Sequence, residues 1–323
     1  MISRLSRVLL ILLTVVAAIS LSWADTAKEL LVAGRIDDAI AELNGRISAS
    51  PGDAESDNLL CRAYFAVEDW DRAEFSCRKA AELAPDNSRF HLWLGRVYGE
   101  KADRAGVLSA AGMAPKIRVE FERAVQLNPK DIDARLDLAE FYVEAPGFMG
   151  GGAAKARNQA QFVGITNPGR EHWIYARIAE KNKDFGTAER EYRQYVDLSH
   201  GDAEAWLNLA LCFRRKNRQE EMEKAIVKLS QAPVAKPDVL MEAAGILIRA
   251  KRNYSLAGEL LHRYLTAGPV EAAPAFKAHY LLGVLLEEQG DKAGAAQEYR
   301  ASLSMARNFG NAQQALNHVD RHH

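Results

Sequence analysis

The sequence predicts an all-α chain, a solenoid of about eight helical hairpins that ends in a capping helix. Three observations lead there. A short apolar–small–apolar motif recurs along the chain, a second small residue usually follows it by twelve positions, and strand-type alternation is absent. The composition agrees with a folded protein. Of 323 residues, 48% are hydrophobic and 26% charged, which excludes a disordered or collagen-like chain. Lysine plus arginine (42) nearly balances aspartate plus glutamate (43), so bulk charge points to no nucleic-acid partner. Three cysteines are too few for a disulfide-built scaffold.

Met1 to Ala24 reads as an address. Arg4 and Arg7 are the only charges before Asp25, Val8 to Leu21 is apolar apart from Thr14 and Ser20, and Ser22-Trp23-Ala24 places small residues around a bulky one. Basic start, short apolar middle and small-x-small end predict a signal peptide cleaved after Ala24 and an exported, periplasmic protein. The alternative, an uncleaved anchor, has a run shorter than the roughly 20 residues that span a bilayer. No cysteine lies near the cleavage site, which argues against a lipid anchor. Cleavage removes two positive charges and leaves the mature chain mildly acidic, with no stable membrane span.

The repeat begins after the leader. Leu94-Gly95-Arg96-Val97-Tyr98 is related to segments starting at Leu60, Leu138, Leu209 and Leu282. The second small residue makes the pairs Cys61/Ala73, Ala176/Ala188, Gly245/Ala257 and Gly283/Ala295, with bulky Tyr192, Leu261 and Tyr299 four positions further on. Apolar residues three and four apart turn one face of each helix into a core. Small residues let two antiparallel helices approach closely. Proline cannot continue a helix interior, so Pro51 and Pro85, Asn128-Pro129 and Asn167-Pro168 mark unit boundaries.

These residues resemble the tetratricopeptide repeat (TPR). Trp206, Leu209, Ala210 and Phe213 match the first helix of its pattern. Phe121, Ala124 and Pro129 match the second, with Ile117 where alanine is usual. The resemblance covers essentially all of the mature chain and implies a right-handed α-solenoid that binds partners on its concave face. The units are expected at about 25–53, 54–87, 88–131, 132–168, 169–202, 203–237, 238–275 and 276–309, with residues 310–323 as capping helix and tail. The fifth closes with His200-Gly201 in place of proline, and the sixth has Met222 where a small residue is expected.

Two units are oversized. The excess in one lies around Gly106–Pro115, and in the other at Ala145-Pro146-Gly147-Phe148-Met149-Gly150-Gly151-Gly152. Together they resemble a group of exported bacterial TPR proteins with a Pro-Gly-aromatic-Gly-Gly loop, a likeness that implies no established chemistry. Both are expected as inserted loops on one edge of the solenoid. Phe148 and Met149 either fold back over their own hairpin or form the tip that contacts a partner.

No catalytic site, cofactor or metal is predicted. Gly150-Gly151-Gly152 is followed by two alanines and Lys155, which fits neither a Walker loop nor a dinucleotide fingerprint. His91, His172 and His279 fall at matching places in three leading helices and read as packing or interface residues. No zinc-ligand spacing or Gly-x-Ser-x-Gly elbow exists. Cys61 and Cys77 lie at about the same height in one hairpin. They are either a disulfide of an oxidising compartment or two small core residues.

The inner face should lie next to the small packing residues. This places Arg62, Arg96, Arg177, Arg214 and Arg249 there, with Trp173 and Tyr280 among their aromatic companions and Glu140, Glu180, Glu242 and Glu287 interleaved. Such a row could grip a protein or peptide carrying acidic and apolar groups. Alternatively, the arginines and glutamates pair with each other on a solvated face. The expected function is a non-catalytic exported scaffold or adaptor. A self-associating architectural protein of the envelope is the alternative, and an envelope enzyme or small-ligand carrier the third.

Overall fold

A computed structural model describes residues 26–268 and 270–321; residues 1–25, which hold the expected signal peptide, and Pro269, His322 and His323 lie outside the described residues. It contains seventeen α-helices, no strand, and one isolated bridge between Val270 and Ala273 among the described residues. They are α1 (26–32), α2 (Ile36–Ala49), α3 (Ala54–Ala66), α4 (Trp70–Leu83), α5 (Ser88–Arg104), α6 (Val107–Leu127), α7 (Ile132–Glu144) and α8 (Ala153–Gly164). There follow α9 (Pro168–Lys181), α10 (Phe185–Leu198), α11 (Ala203–Arg215), α12 (Gln219–Gln231), α13 (Asp238–Arg249), α14 (Tyr254–Ala267), α15 (Ala275–Glu288), α16 (Lys292–Met305) and α17 (Gly310–Arg321).

Local chemistry starts and stops these helices. Asp53, Asp69, Asn87, Asp131, Asn167, Asp184, Asp202, Asn253 and Asp291 each accept a hydrogen bond from a backbone N–H in the first turn of the helix that follows. Each cap satisfies one of the donors that a helix start leaves free. Six hairpins turn through a residue of positive φ: Gly34, Glu68, Lys183, Asn217, Lys251 and Gly290. The two oversized units differ: α5/α6 has no such residue at Ala105-Gly106, and α7/α8 uses two, Gly150 and Gly152, in a longer connection.

Within a hairpin the two helices touch where the sequence places small residues. A Cβ on Gly95 would lie 2.5 Å from the ring of Phe121, and one on Gly283 would enter the ring of Tyr299. The first helices of successive hairpins also pack on one another (α3 on α5, α7 on α9, α11 on α13, α13 on α15), whereas the second helices make no comparable contacts. The first helices therefore line the tighter, inner side, and the second helices fan outward.

The stack closes on itself. A Cβ on Gly34 would lie 2.9 Å from the backbone nitrogen of Ala275. Phe276 is fully buried in one core with Leu31, Ile36, Phe309 and Ala312. Lys277 pairs with Glu68 at 3.4 Å, and the Arg307 backbone N–H donates to Asp37 at 2.9 Å. The first described hairpin, α1/α2, thus packs against the C-terminal helices α15 to α17 and the turn before α17.

One expectation is corrected. Residues around Gly106–Pro115 form no inserted loop. Only Ala105 and Gly106 separate α5 from α6, both helices are lengthened, and Pro115 sits inside α6. Alanine, leucine and methionine in this stretch favour helix and carry α6 through Pro115, its ninth residue, at the cost of one backbone hydrogen bond.

Candidate functional site

The inner-face arginines do not share one environment. Arg62 is buried and gives both prongs of its guanidinium to Glu271. Arg96 Nε donates to Asp137 Oδ2 at 2.6 Å. Burial holds the Asp137 carboxyl above its ordinary pKa, with Arg96 pulling the other way. Arg177 pairs with Glu140, with Glu144 at 3.1 Å and with Glu180 at 2.8 Å. Burial pulls the Arg177 guanidinium down, and Glu140 outweighs it and leaves it well above its usual value. Glu180 also receives Arg215 at 2.8 Å and the Tyr192 hydroxyl at 3.0 Å. These three arginines therefore bind neighbouring helices, or opposite ends of the chain, to each other.

The two aromatic candidates serve the same end. Trp173 Nε1 donates to Asn208 Oδ1 in the next hairpin at 2.8 Å. Tyr280 packs 5.9 Å from Tyr299 and 5.4 Å from Phe309, ring centre to ring centre, beside the seam.

Arg214 and Arg249 differ. Neither makes an ion pair with a described carboxylate within 4.0 Å. Burial, then repulsion from Arg214, lowers the Arg249 pKa, and Glu242 opposes this from a distance. Glu242 itself is raised, chiefly by desolvation, with Arg249 pulling the other way. The Arg249 guanidinium lies over Gly245, where an added Cβ would meet it at 3.1 Å and Leu281 at 3.6 Å. Leu211, one turn before Arg214, and Val284, one turn after Leu281, are half-buried. Two cations in mutual repulsion thus stand beside an apolar strip.

The loop residues separate as well. Phe148 is 86% exposed, whereas Met149 packs against the core beside a 3-10 turn at Gly147–Met149. The glycines behind them build this turn. Gly150 has φ of 97°, and a Cβ on Gly151 would run into the carbonyl oxygen of Ala145. The N–H groups of Gly150, Gly151 and Gly152 donate to the carbonyls of Gly147, Pro146 and Tyr142 at 3.0, 3.2 and 2.8 Å. A phosphate cradle needs such donors free, and here all three are used.

The three aligned histidines clip first to second helices. Nδ1 of His91, His172 and His279 lies 2.6, 2.6 and 2.7 Å from Glu120, Glu191 and Glu298. Cys61 and Cys77 are joined by a disulfide with Cα atoms 5.1 Å apart, and Cys212 is a buried thiol that burial pushes up to about 12. Among the described residues no group of three His, Cys, Asp or Glu could hold a metal ion, and no helix is long and apolar enough to cross a membrane.

Repeated pairs with small-to-bulky crossings, first helices inside and second outside, are the TPR arrangement. The family model described as tetratricopeptide repeat matches residues 176–238 and 242–312. Over those residues the chain is built of tetratricopeptide repeats. No curated protein matches it in sequence. Among solved structures it is similar to a TPR protein of Parabacteroides merdae at 18% identity, over 83% of this chain and 98% of that one, with a TM-score of 0.40. A thermophilic TPR protein of Thermus thermophilus is similar at 15% identity, over 59% and 98%, with a TM-score of 0.48. PilW, described as a type IV pilus biogenesis factor, is similar at 15% identity, over 66% and 93%, with a TM-score of 0.49. The repeat geometry and the family match, not these likenesses, carry the assignment.

Sequence reasoning did not single out Trp93 or Glu271. Trp93 stands next to the Leu94-Gly95 motif and was open to notice. Glu271 is 209 positions from Arg62, and nothing in the repeat pattern brings the two together.

Proposed function

We propose that this TPR protein is an exported, non-catalytic scaffold, and that it binds a protein or peptide on its inner face at Arg214 and Arg249. The supporting observation is that, among the described residues, no carboxylate lies within ion-pair distance of these two guanidiniums, while Arg62, Arg96 and Arg177 already have theirs. Unpaired cations beside Leu211, Leu281 and Val284 suit a segment carrying an acidic group next to an apolar one. Export rests on the leader, and cleavage would make Asp25 the first residue.

The test uses a photo-crosslinking residue at Leu211 in the full-length protein, expressed in its own cell. A specific adduct should form in the exported fraction, and Arg214→Glu with Arg249→Glu should abolish it. Arg96→Ala with Arg177→Ala should lower stability more than it lowers adduct yield. An adduct indifferent to Arg214 and Arg249 removes them from the binding face. N-terminal sequencing of the exported form checks the leader; any residue upstream of Asp25 refutes cleavage after Ala24.

A second reading, self-association, draws on the outer face. Phe75 (61% exposed), Val119 (53%), Phe162 (53%) and Ile165 (77%) lie on or just past the second helices α4, α6 and α8. Apolar groups gathered on one side are a liability that a second copy would cover. Light scattering on the mature protein decides it: a monomer mass at high concentration excludes this reading.

A further inference from the structure

Arg62 is held unlike the other inner-face arginines. Arg96 and Arg177 take carboxylates from their own and neighbouring first helices, but the one on Arg62 comes from the connection between α14 and α15. Nε and a terminal nitrogen of Arg62 each donate to a different oxygen of Glu271. This two-pronged geometry is how guanidinium recognises a free carboxylate. The guanidinium also lies over Trp93, 5.3 Å from the ring centre, and Arg96 lies over the same ring at 5.1 Å. With its side chain 9% exposed, Arg62 forms a pocket-like pair shielded from solvent.

The segment that delivers Glu271 is built for presentation. Ala273 N–H donates to the Val270 carbonyl at 3.0 Å, which leaves Glu271 and Ala272 at the tip of a tight turn. The hydroxyl of Tyr264, fully buried in α14, accepts from Val270 N–H at 3.0 Å and donates to the Ala273 carbonyl. One buried tyrosine thus clamps both legs of a turn whose only charged side chain is Glu271.

We propose that Arg62 and Trp93 form a carboxylate-binding site, and that Glu271 is its internal occupant, displaced when an acidic side chain of a partner peptide enters. The proposal rests on the inner-face reading above, since a competitor must reach that face. The occupant keeps the site closed and holds the two ends of the chain together. The partner therefore works against a tethered carboxylate, and removing that carboxylate raises the affinity for an acidic segment.

The probe is a fluorescein-labelled hexaglutamate peptide, titrated at low salt against the whole mature protein and its variants. Glu271→Gln keeps the shape and an accepting oxygen but loses the charge. It should bind about tenfold more tightly than the wild type or better, and Arg62→Ala in the same background should cancel the gain. Equal affinity, a fall, or a gain that survives Arg62→Ala overturns the proposal. So does a Glu271→Gln variant that melts well below the wild type without binding more tightly, because the contact is then only structural. Arg214→Ala with Arg249→Ala separates the two readings. If it abolishes wild-type binding while Glu271→Gln gains nothing, the inner-face reading stands and the internal occupant falls. An Arg62-dependent gain in Glu271→Gln, with the arginine pair irrelevant, gives the converse.

Discussion

Cys61 and Cys77 are bonded at the crossing where another hairpin sets Gly283 under the ring of Tyr299, sixteen positions apart in both cases. Ala176 and Tyr192 stand at the same interval, both fully buried. A disulfide takes the place of a small-against-ring contact in α3/α4, so the second hairpin is held by a covalent link where its relatives use packing. Replacing both cysteines by alanine should cost about 3 kcal/mol, the value expected for a loop of this length. Cys61→Ala with Cys77→Tyr, which copies the α9/α10 pair, should recover part of that loss. Intact-mass measurement on non-reduced protein gives the prior check: two free thiols at these positions would end the argument.

Closure of the stack changes what kind of folding to expect. An open solenoid loses terminal repeats independently, because each contacts only its neighbours. Here Phe276, fully buried and 5.0 Å from Phe309 between ring centres, belongs to the same core as Leu31 and Ile36. Phe276→Ala should cost about 3–5 kcal/mol and should speed amide exchange in residues 26–49 as well as in α15 to α17. Faster exchange confined to the C-terminal helices would mean that the first hairpin stands without the seam.

Local order was written in the sequence, and long-range closure was not. Small residues such as Gly95 and Gly283 declared the helix crossings because only a missing side chain lets a ring approach so closely. The Asp and Asn caps were equally readable, standing one position before the helices they start. The left-handed hairpin turns were not, since Glu68, Lys183 and Lys251 occupy them as readily as Gly34 and Gly290. Nor did periodicity tell which inner-face arginines were free. Arg62 and Arg214 stand beside similar motifs, and only the three-dimensional neighbourhood separates a paired guanidinium from an unpaired one.

The loop between α7 and α8 divides into a tip and a hinge with opposite sensitivities. Phe148 is almost wholly in solvent, so Phe148→Ala should shift stability by less than about 0.5 kcal/mol. Gly151 presses on the Ala145 carbonyl, and backbone cannot step aside as a flexible side chain can. Gly151→Ala should therefore cost about 1–3 kcal/mol. Thermal melts of the two variants settle the matter, and a Phe148→Ala loss equal to that of Gly151→Ala would show that the tip is packed in solution.

His91 carries the clearest pH dependence in the fold. Its Nδ1 lies 2.6 Å from Glu120 Oε2 and its Nε2 lies 2.9 Å from the Pro85 carbonyl. Both partners accept, so the ring satisfies both only when each nitrogen bears a proton. The hydrogen bond with Glu120 outweighs burial and raises the His91 pKa above its ordinary value. A raised folded-state pKa gives stability that is complete below the unfolded value of about 6.5 and is lost as pH climbs through the folded value. Against His91→Gln, the wild type should gain on the order of 1–2 kcal/mol at pH 5.5. The difference should shrink steadily toward pH 8.5. Melting curves of the two proteins across that range should converge with rising pH; if they run parallel, the imidazolium is not what clips α5 to α6.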